Sequence, residues 1–270
     1  MKTNTNRGSH PEAALDAEFA AIIAESLRSV PLEPQDEGEF SRYAGIGRLD
    51  RSITTLEGFA LEHAVRAVLC NHGQYRVLDP GIRFPLSQDA LDLAEGDGEP
   101  VKFELAPYGT PGLSYCPDLV AIGLDGELVL GELKRDTAHL RPNQIQPLMV
   151  RLKAAAMVAE SVLNDQGEAV EITDAFVSVI DATGKGRHSA VHDFEAFGTA
   201  IGDSDFAPAM HRFRTAFYRA ADAIYAAHVD ACRPVPVSTA SAQRLTQPLY
   251  APFKIRSAVG SVRDEGGPRA

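Results

Sequence analysis

The stretch YCPDLVAIGLDGELVLGELK, residues 115–134, decides the fold expected for this chain. Two short apolar runs, 115–123 and 127–134, flank the dipeptide Asp125-Gly126. An Asp-Gly dipeptide between such runs is a strong signal for a tight β-hairpin turn. The sequence therefore predicts two antiparallel strands that pair across this turn.

Helical and extended patterns surround the predicted hairpin. Helices are predicted over 12–28, 53–70, 143–163 and 207–231, and extended chain over 75–86 and 169–181. Pro147 is tolerable in its helix only if it falls in the first turn. The nearly continuous apolar run at 169–181 is typical of an interior strand. This order predicts an α/β protein with a mixed sheet flanked by helices, in which the first and last helices are accessory elements.

The remaining segments are expected to lie outside the core. Residues 31–50 are interpreted as a loop, the acid-rich stretch 87–104 as a solvated excursion, and the chain after Arg233 as a tail. The predicted organisation is an N-terminal helical extension (1–52), a core domain (53–206), and a C-terminal helix with a flexible tail (207–270).

Charge and cysteine content exclude several classes of protein. The 270 residues include 26 lysines and arginines against 37 acids, which gives a formal net charge of −11. That balance excludes a generally basic nucleic-acid binder but leaves room for a local basic groove. The three scattered cysteines include no CxxC pair, so a structural zinc knuckle is disfavoured and reduced thiols are expected. Without a long apolar run or a signal-peptide core, we expect a cytoplasmic protein that makes no membrane contact.

Charged side chains gather at one end of the predicted hairpin. Pairing across the turn would bring Asp118 and Glu132 to the same end of the sheet, and Glu132 and Lys134 to the same face of their strand. Two neighbouring carboxylates repel each other unless a cation or a proton is held between them. A hard divalent ion such as Mg²⁺ or Mn²⁺ prefers oxygen ligands, and it can activate water for attack on a phosphoryl group. Lys134 could orient that water or stabilise the transition-state charge.

The pattern Pro117-Asp118 followed by Glu132-x-Lys134 resembles the PD-(D/E)xK superfamily of nucleases. The resemblance covers roughly residues 53–182. It implies a restriction-endonuclease-like αβββαβ core and metal-dependent hydrolysis of DNA phosphodiester bonds. The stretches LEHAVRAVL and YRVLDPGIRFPL are similar to the start of TnsA-type transposon endonuclease subunits, and the chain is also similar to small Holliday-junction-resolvase-like nucleases.

The same resemblance implies a role for each candidate residue. Asp118, Glu132 and the backbone carbonyl of Leu133 would bind Mg²⁺ or Mn²⁺. Lys134 would position or activate the attacking water. Glu62, on the first core helix, would complete the metal site directly or through water. The structural alternatives are surface acids on a hairpin with Lys134 as an ion-pair partner, and a solvated helix residue at position 62.

Three further features carry weaker signals. Gln144 and Gln146 resemble the auxiliary glutamine of RecB-type nucleases, and they could equally cap their helix. The run RHSAVHD could bind a transition metal through its two histidines, His188 and His192, if it were helical. Because this run follows a glycine-rich loop, we favour a surface loop instead. Glu57 is expected to be structural.

Local charge and exposed aromatic residues suggest partners. Basic residues cluster near the candidate site, at Lys134, Arg135, Arg141, Arg151 and Lys153. They favour DNA as the partner despite the net negative charge. The acidic remainder or the C-terminal tail could contact a protein. The aromatic residues of helix 207–231 favour a homodimer, unless they cover the protein's own sheet. The alternative function is a catalytically silent nuclease-fold protein that binds nucleic acid or a protein partner.

Overall fold

Helices and strands alternate along the parts of the chain that the computed structural model describes, which are residues 10–30, 41–96, 113–186 and 188–231. The helices are α1 (His10–Leu27), α2 (Ser41–His72), α3 (Gln88–Glu95), α4 (Pro142–Asp165), α5 (Phe194–Ala200) and α6 (Phe206–Ala231). The strands are β1 (Tyr75–Val77), β2 (Phe84–Pro85), β3 (Ser114–Tyr115), β4 (Leu119–Gly123), β5 (Glu127–Lys134), β6 (Asp174–Asp181) and β7 (Val191–His192).

Five of these strands form one mixed sheet in the order β1-β4-β5-β6-β7. The pairs β1–β4 and β4–β5 are antiparallel, whereas β5–β6 and β6–β7 are parallel. Helix α4 supplies the crossover that a parallel pair requires. The prediction of a mixed sheet flanked by helices is confirmed. The interior position of β6 is confirmed as well, although this strand begins later than the predicted residue 169.

The predicted hairpin is formed by β4 and β5, with Leu119 opposite Gly131. At the turn, Gly126 has φ +88° and donates its N–H to the carbonyl of Gly123 at 3.1 Å. Glycine adopts positive φ at little cost. A side chain at this position would also place its Cβ 2.6 Å from the carbonyl oxygen of Glu171. The turn therefore needs glycine both for its backbone conformation and for space.

Helices α3 and α4 cover one face of the sheet. Leu128 and Leu130 of β5 point into this layer, together with most of the apolar side chains of α4. The helix confirms the prediction for 143–163, but Pro147 lies in its second turn and not in the first. Proline removes a backbone hydrogen bond to residue 143. Since Asn143 and Pro147 are both exposed, water can satisfy the carbonyl that loses its donor.

The acid-rich stretch 87–104 contains a helix that the sequence interpretation missed. Helix α3 begins after Ser87, whose hydroxyl accepts a hydrogen bond from the N–H of Ala90 at 3.1 Å. Ala90 and Ala94 are buried against α4, while the acidic side chains of α3 face solvent. The helix has only eight residues, so its three acids obscure the short apolar face that Ala90, Ala94 and the partly buried Leu91 present to the core. Residues 97–112 lie outside the described ranges.

Helices α1, α2, α5 and α6 lie on the opposite face, with α1 and α6 packed on α2. The predictions of helices at 12–28 and 207–231 are confirmed. The loop predicted for 31–50 is wrong for 41–50, because α2 already begins at Ser41. Gly45, which favoured a loop, lies inside this helix, where a Cβ would be 3.3 Å from the imidazole of His228 in α6. Glycine here permits close approach of the two helices; residues 31–40 lie outside the described ranges.

The aromatic face of α6 is used inside the chain. Phe213 and Phe217 are 0% and 1% exposed. Phe213 packs edge-on against Phe19 of α1, with ring centroids 5.2 Å apart, and the hydroxyl of Tyr225 donates to Asp50 of α2 at 2.8 Å. Phe213 and Phe217 thus pack inside the chain, as the alternative to dimerisation expects, whereas Tyr218 remains 40% exposed. The homodimer stays a prediction.

The described residues belong to one compact unit that ends at Ala231. The predicted tail after Arg233 lies outside the described ranges. None of the helices in the described part of the chain is long and apolar enough to cross a bilayer.

Candidate active site

Asp118 and Glu132 lie side by side at one edge of the sheet. Extending the pairing of Leu119 with Gly131 by one residue places Asp118 opposite Glu132. Asp118 directly precedes β4, and its Oδ2 accepts a hydrogen bond from the N–H of Leu133 at 2.8 Å. The antiparallel hairpin thus brings together two carboxylates that are 14 positions apart in the sequence.

Lys134 and Tyr115 hold the carboxylate of Glu132 from two sides. The Nζ of Lys134 lies 2.6 Å from Oε1 of Glu132, as expected for residues two apart on one strand face. The hydroxyl of Tyr115, in β3, donates to Oε2 of the same carboxylate. Burial and the negative charge of Glu132 raise the pKa of Tyr115, so its hydroxyl remains a donor. Sequence reasoning missed Tyr115, because its role depends on how β3 is placed beside β5.

Glu62 approaches the pair of carboxylates from α2. Its pKa is raised from 4.5 to about 7, first by burial and then by the negative charge of Asp118, with a further contribution from Glu132. The nearby positive charges of Arg66 and Lys134 offset part of this rise. Glu62 therefore shares the electrostatic environment of the hairpin acids. We call Glu62, Asp118, Glu132 and Lys134 the carboxylate cluster.

Arg66 fixes the backbone on which Asp118 is mounted. Its guanidinium donates to the carbonyl of Asp118 at 2.5 Å and to the carbonyl of Leu78 at 3.2 Å. It thereby ties α2 to the start of β4 and to the chain after β1. Arg66 carries no motif of its own in the sequence, although its spacing of four residues from Glu62 places both on one face of the helix.

The cluster carries more negative charge than its own cations balance. Burial raises the pKa of Asp118, and the negative charge of Glu132 raises it further. The N–H of Leu133 and the positive charges of Lys134 and Arg66 lower the pKa only in part. A cation placed among these carboxylates would relieve this repulsion.

The donor set fits a hard divalent ion. The N–H of Leu133 points toward β4 and donates to Asp118. The carbonyl of the next residue, Lys134, points the other way and accepts a hydrogen bond from the N–H of Ala182, after β6, at 3.0 Å. Because the N–H and C=O of one strand residue point to the same side, the carbonyl of Leu133 also faces Asp118. Within the described ranges, no group of three His, Cys, Asp or Glu side chains is poised to hold a metal. The ligands that these residues could offer are carboxylates and one backbone carbonyl, and Mg²⁺ prefers oxygen ligands of this kind.

The two candidate glutamines lie on α4, outside the carboxylate cluster. Gln144 occupies the third position of the helix, and its Oε1 accepts a hydrogen bond from the N–H of Arg141 at 2.9 Å. This contact is the helix-capping alternative considered for that residue. Gln146 is exposed and lines a shallow surface pocket with Arg151.

The histidine-containing run after β6 is structural. His192 lies in β7, where its Nδ1 is 2.8 Å from the hydroxyl of Ser178. Asp193 caps α5 by accepting from the N–H of Ala196 at 2.7 Å. The interpretation as a surface loop is thus incomplete, because the run forms a short strand and starts a helix. Arg187 lies outside the described residues.

Comparisons of the chain with models of protein families, with curated proteins and with solved structures found no match.

Proposed function

We propose that the chain is a Mg²⁺- or Mn²⁺-dependent deoxyribonuclease of the PD-(D/E)xK type. The observation that carries this proposal is the placement of Asp118 opposite Glu132, with Lys134 beside Glu132 and Glu62 close enough to interact electrostatically with both acids. Apolar strands seldom end in such a concentration of charge without a function, because each buried carboxylate costs free energy.

The topology supports a restriction-endonuclease-like core. When α3 and the small β2–β3 sheet are set aside, the order α2, β1, β4, β5, α4, β6 resembles the αβββαβ succession of that fold, with an antiparallel hairpin followed by a helical crossover to a parallel strand. The candidate residues sit where β4 begins and β5 ends, at a single edge of the sheet. The additional helices α1 and α6 pack on α2 and keep it in position over the sheet.

Each residue of the cluster has a distinct task in phosphodiester hydrolysis. Asp118, Glu132 and the carbonyl of Leu133 would hold the divalent ion, with Glu62 completing the set directly or through water. When bound, such an ion lowers the pKa of water and stabilises charge on a phosphoryl group. Lys134, fixed by its ion pair with Glu132, would donate a hydrogen bond that orients the attacking water or stabilises the charged phosphoryl oxygens.

Two further residues keep this geometry in place. Tyr115 orients the carboxylate of Glu132, and Arg66 orients the backbone of Asp118. Residues that hold ligands in this way commonly change metal affinity or activity by about 10- to 100-fold when they are replaced.

The test is cleavage of plasmid, linear, branched and single-stranded DNA in the presence of Mg²⁺, Mn²⁺ or EDTA. Asp118→Asn and Lys134→Met should each lower the rate by at least about 100-fold. Asp92→Asn, an exposed acid on α3, is the matched control and should cleave like the wild type. Cleavage that persists in EDTA, or that survives both substitutions, would contradict the mechanism.

A catalytically silent nuclease-fold protein is the second candidate. It is favoured by the engagement of both oxygens of Glu132 and by the absence of a ready three-side-chain metal group among the described residues. Titration calorimetry with Mg²⁺ and Mn²⁺ separates the two candidates. Divalent binding that Asp118→Asn removes supports the enzyme, whereas DNA binding without any divalent binding supports the silent protein.

A further inference from the structure

A second charged group lies next to the carboxylate cluster, on the face of β5 opposite Glu132 and Lys134. Glu57 of α2 is buried, with only 4% of its side chain exposed. The hydroxyl of Tyr218 donates to its Oε1 at 2.6 Å. Two guanidiniums approach the same carboxylate, that of Arg135 at 3.8 Å and that of Arg214 at 3.9 Å. We call these four residues the Glu57 cluster.

Arg214 is held in place by the fold. One of its terminal nitrogens donates to the carbonyl of Ala182, at the end of β6, and the other donates to the hydroxyl of Tyr218 at 2.7 Å. Its guanidinium also lies 5.3 Å from the centre of the Tyr218 ring. Arg214 therefore connects α6 to the edge of the sheet, and its side chain is mostly buried.

Arg135 is held less tightly and is more exposed. The 3.8 Å separation from Glu57 is longer than a hydrogen bond, and 44% of the Arg135 side chain remains exposed. One buried carboxylate is shared by two guanidiniums, so the Glu57 cluster carries one positive charge in excess. That excess is presented to solvent through Arg135.

The position of Arg135 relates this charge to the candidate active site. Arg135 directly follows Lys134, and neighbouring residues at a strand end project to opposite faces. Lys134 faces the α4 layer with Glu132, whereas Arg135 faces α2 and α6. A nucleic-acid strand that passes around the end of β5, with one phosphate at Lys134 on one face, would bring a neighbouring phosphate to Arg135 on the other face.

We propose that Arg135, supported by Glu57, binds a phosphate adjacent to the one that is cleaved. This inference rests on the proposed nuclease function and assigns a part of its substrate-binding surface. The planar guanidinium of arginine matches phosphate oxygens in paired hydrogen bonds. The buried carboxylate of Glu57 limits the conformations of Arg135 before the strand arrives, which reduces the entropy lost on binding.

The test measures binding of a fluorescently labelled DNA duplex by anisotropy over a series of KCl concentrations. Ca²⁺ replaces Mg²⁺ so that binding is measured without cleavage of the DNA. Ca²⁺ takes the same oxygen ligands as Mg²⁺ but differs from it in size and preferred geometry. Arg135→Ala should weaken binding by about tenfold and reduce the slope of log Kd against log salt by about 0.9, the value for one lost phosphate contact. Arg135→Lys should restore the slope but only part of the affinity.

Arg76→Ala is the matched control. Arg76 is also exposed and paired with an acid, Glu168, but it lies on β1 opposite Ile122, near the other end of the sheet. The variant removes the same charge from the chain and should bind like the wild type. In Mg²⁺, Arg135→Ala should raise KM by about tenfold and leave kcat within about twofold, because the contact is made equally before and during the reaction.

The outcomes separate this inference from the nuclease proposal. If the wild type binds DNA and Arg135→Ala has an unchanged affinity and slope, the phosphate contact is wrong and the nuclease proposal stands. If Arg76→Ala weakens binding as much as Arg135→Ala, the effect is one of net charge and the specific contact is wrong. If binding depends on Arg135 but no divalent ion supports cleavage, the phosphate contact of Arg135 stands, whereas the catalytic proposal and the place of that contact beside a cleaved phosphate fall. Absence of any DNA binding by the wild type would overturn both.

Discussion

Replacing Glu62 by glutamine should stabilise the metal-free protein. Its pKa is raised from 4.5 to about 7, by burial first and by Asp118 next. At 1.36 kcal/mol per pH unit, that rise corresponds to about 3 kcal/mol of free energy disfavouring the charged form in the folded state. Glu62 is only half-buried, so solvent screening reduces the expected gain to about 1–2 kcal/mol.

The sign of the pH dependence follows from the direction of the shift. The folded protein holds the proton of Glu62 up to about pH 7, whereas the unfolded chain releases it near pH 4.5. The stability that this proton contributes is complete below pH 4.5 and is lost as the pH rises through 7. Glutamine cannot ionise, so Glu62→Gln should exceed the wild type most clearly at pH 8.

Urea and thermal unfolding in EDTA at pH 5 and pH 8 provide the measurement. At pH 8 the melting temperature of Glu62→Gln should lie about 2–8 °C above that of the wild type, with a smaller difference at pH 5. Glu18→Gln, an exposed glutamate in the middle of α1, should change stability by less than about 0.5 kcal/mol at both values. A variant that is less stable at pH 8, or a gain that does not depend on pH, would refute the reasoning.

Three other substitutions test the hairpin, the cluster and the core. Tyr115→Phe removes the donor to Oε2 of Glu132 and should lower the rate of Mg²⁺-dependent cleavage by about tenfold or more. Circular dichroism should show an intact fold, and an unchanged cleavage rate would show that the hydroxyl is dispensable. Gly126→Ala forces a side chain into a φ of +88° and into the carbonyl of Glu171, and urea unfolding should show a loss of at least about 1 kcal/mol. Phe213→Ala empties a fully buried site between α6 and α1 and should lower the free energy of unfolding by about 3–5 kcal/mol. A small loss of stability would contradict the internal role of this ring. Light scattering on the same variant should show whether assembly changes.

The hairpin was predictable because its signals are local. Asp125-Gly126 between two apolar runs specifies the turn, and the glycine φ of +88° shows why no other residue fits easily. The pairing then follows from strand lengths, and with it the meeting of Asp118 and Glu132. Alternation along β5 similarly places Lys134 beside Glu132.

The two missed helical stretches have different physical causes. The helical start of α2 contains Gly45, whose low helix propensity favours a loop until the close approach of His228 is known. Helix α3 has only eight residues, and its three acids obscure in the sequence the short apolar face formed by Ala90, Ala94 and the partly buried Leu91. In α2 tertiary contacts outweigh local preference, whereas α3 is a short helix with a local cap at Ser87.

The supporting residues of the site could not be assigned from sequence spacing alone. Tyr115 and Arg66 act through contacts with Glu132 and the Asp118 backbone, at separations of 17 and 52 residues. Glu57 was expected to be structural, and the structure adds that it lies between two arginines. The sequence pattern predicts the acids and the lysine of the site. Which neighbouring residues orient them depends on the fold.

The parallel pairing of β5 with β6 has a consequence for the newly made chain. β5 can pair with β4 as soon as both are synthesised, but its other side stays open until the chain has passed through α4 and reached Asp174. At about 5–20 residues per second, that open edge persists for about 2–8 seconds during translation. Exposed apolar edge strands recruit other chains, and charged residues, lysine above all, discourage such pairing. We therefore expect Glu132 and Lys134, at the end of β5, to discourage such pairing while the chain is being made.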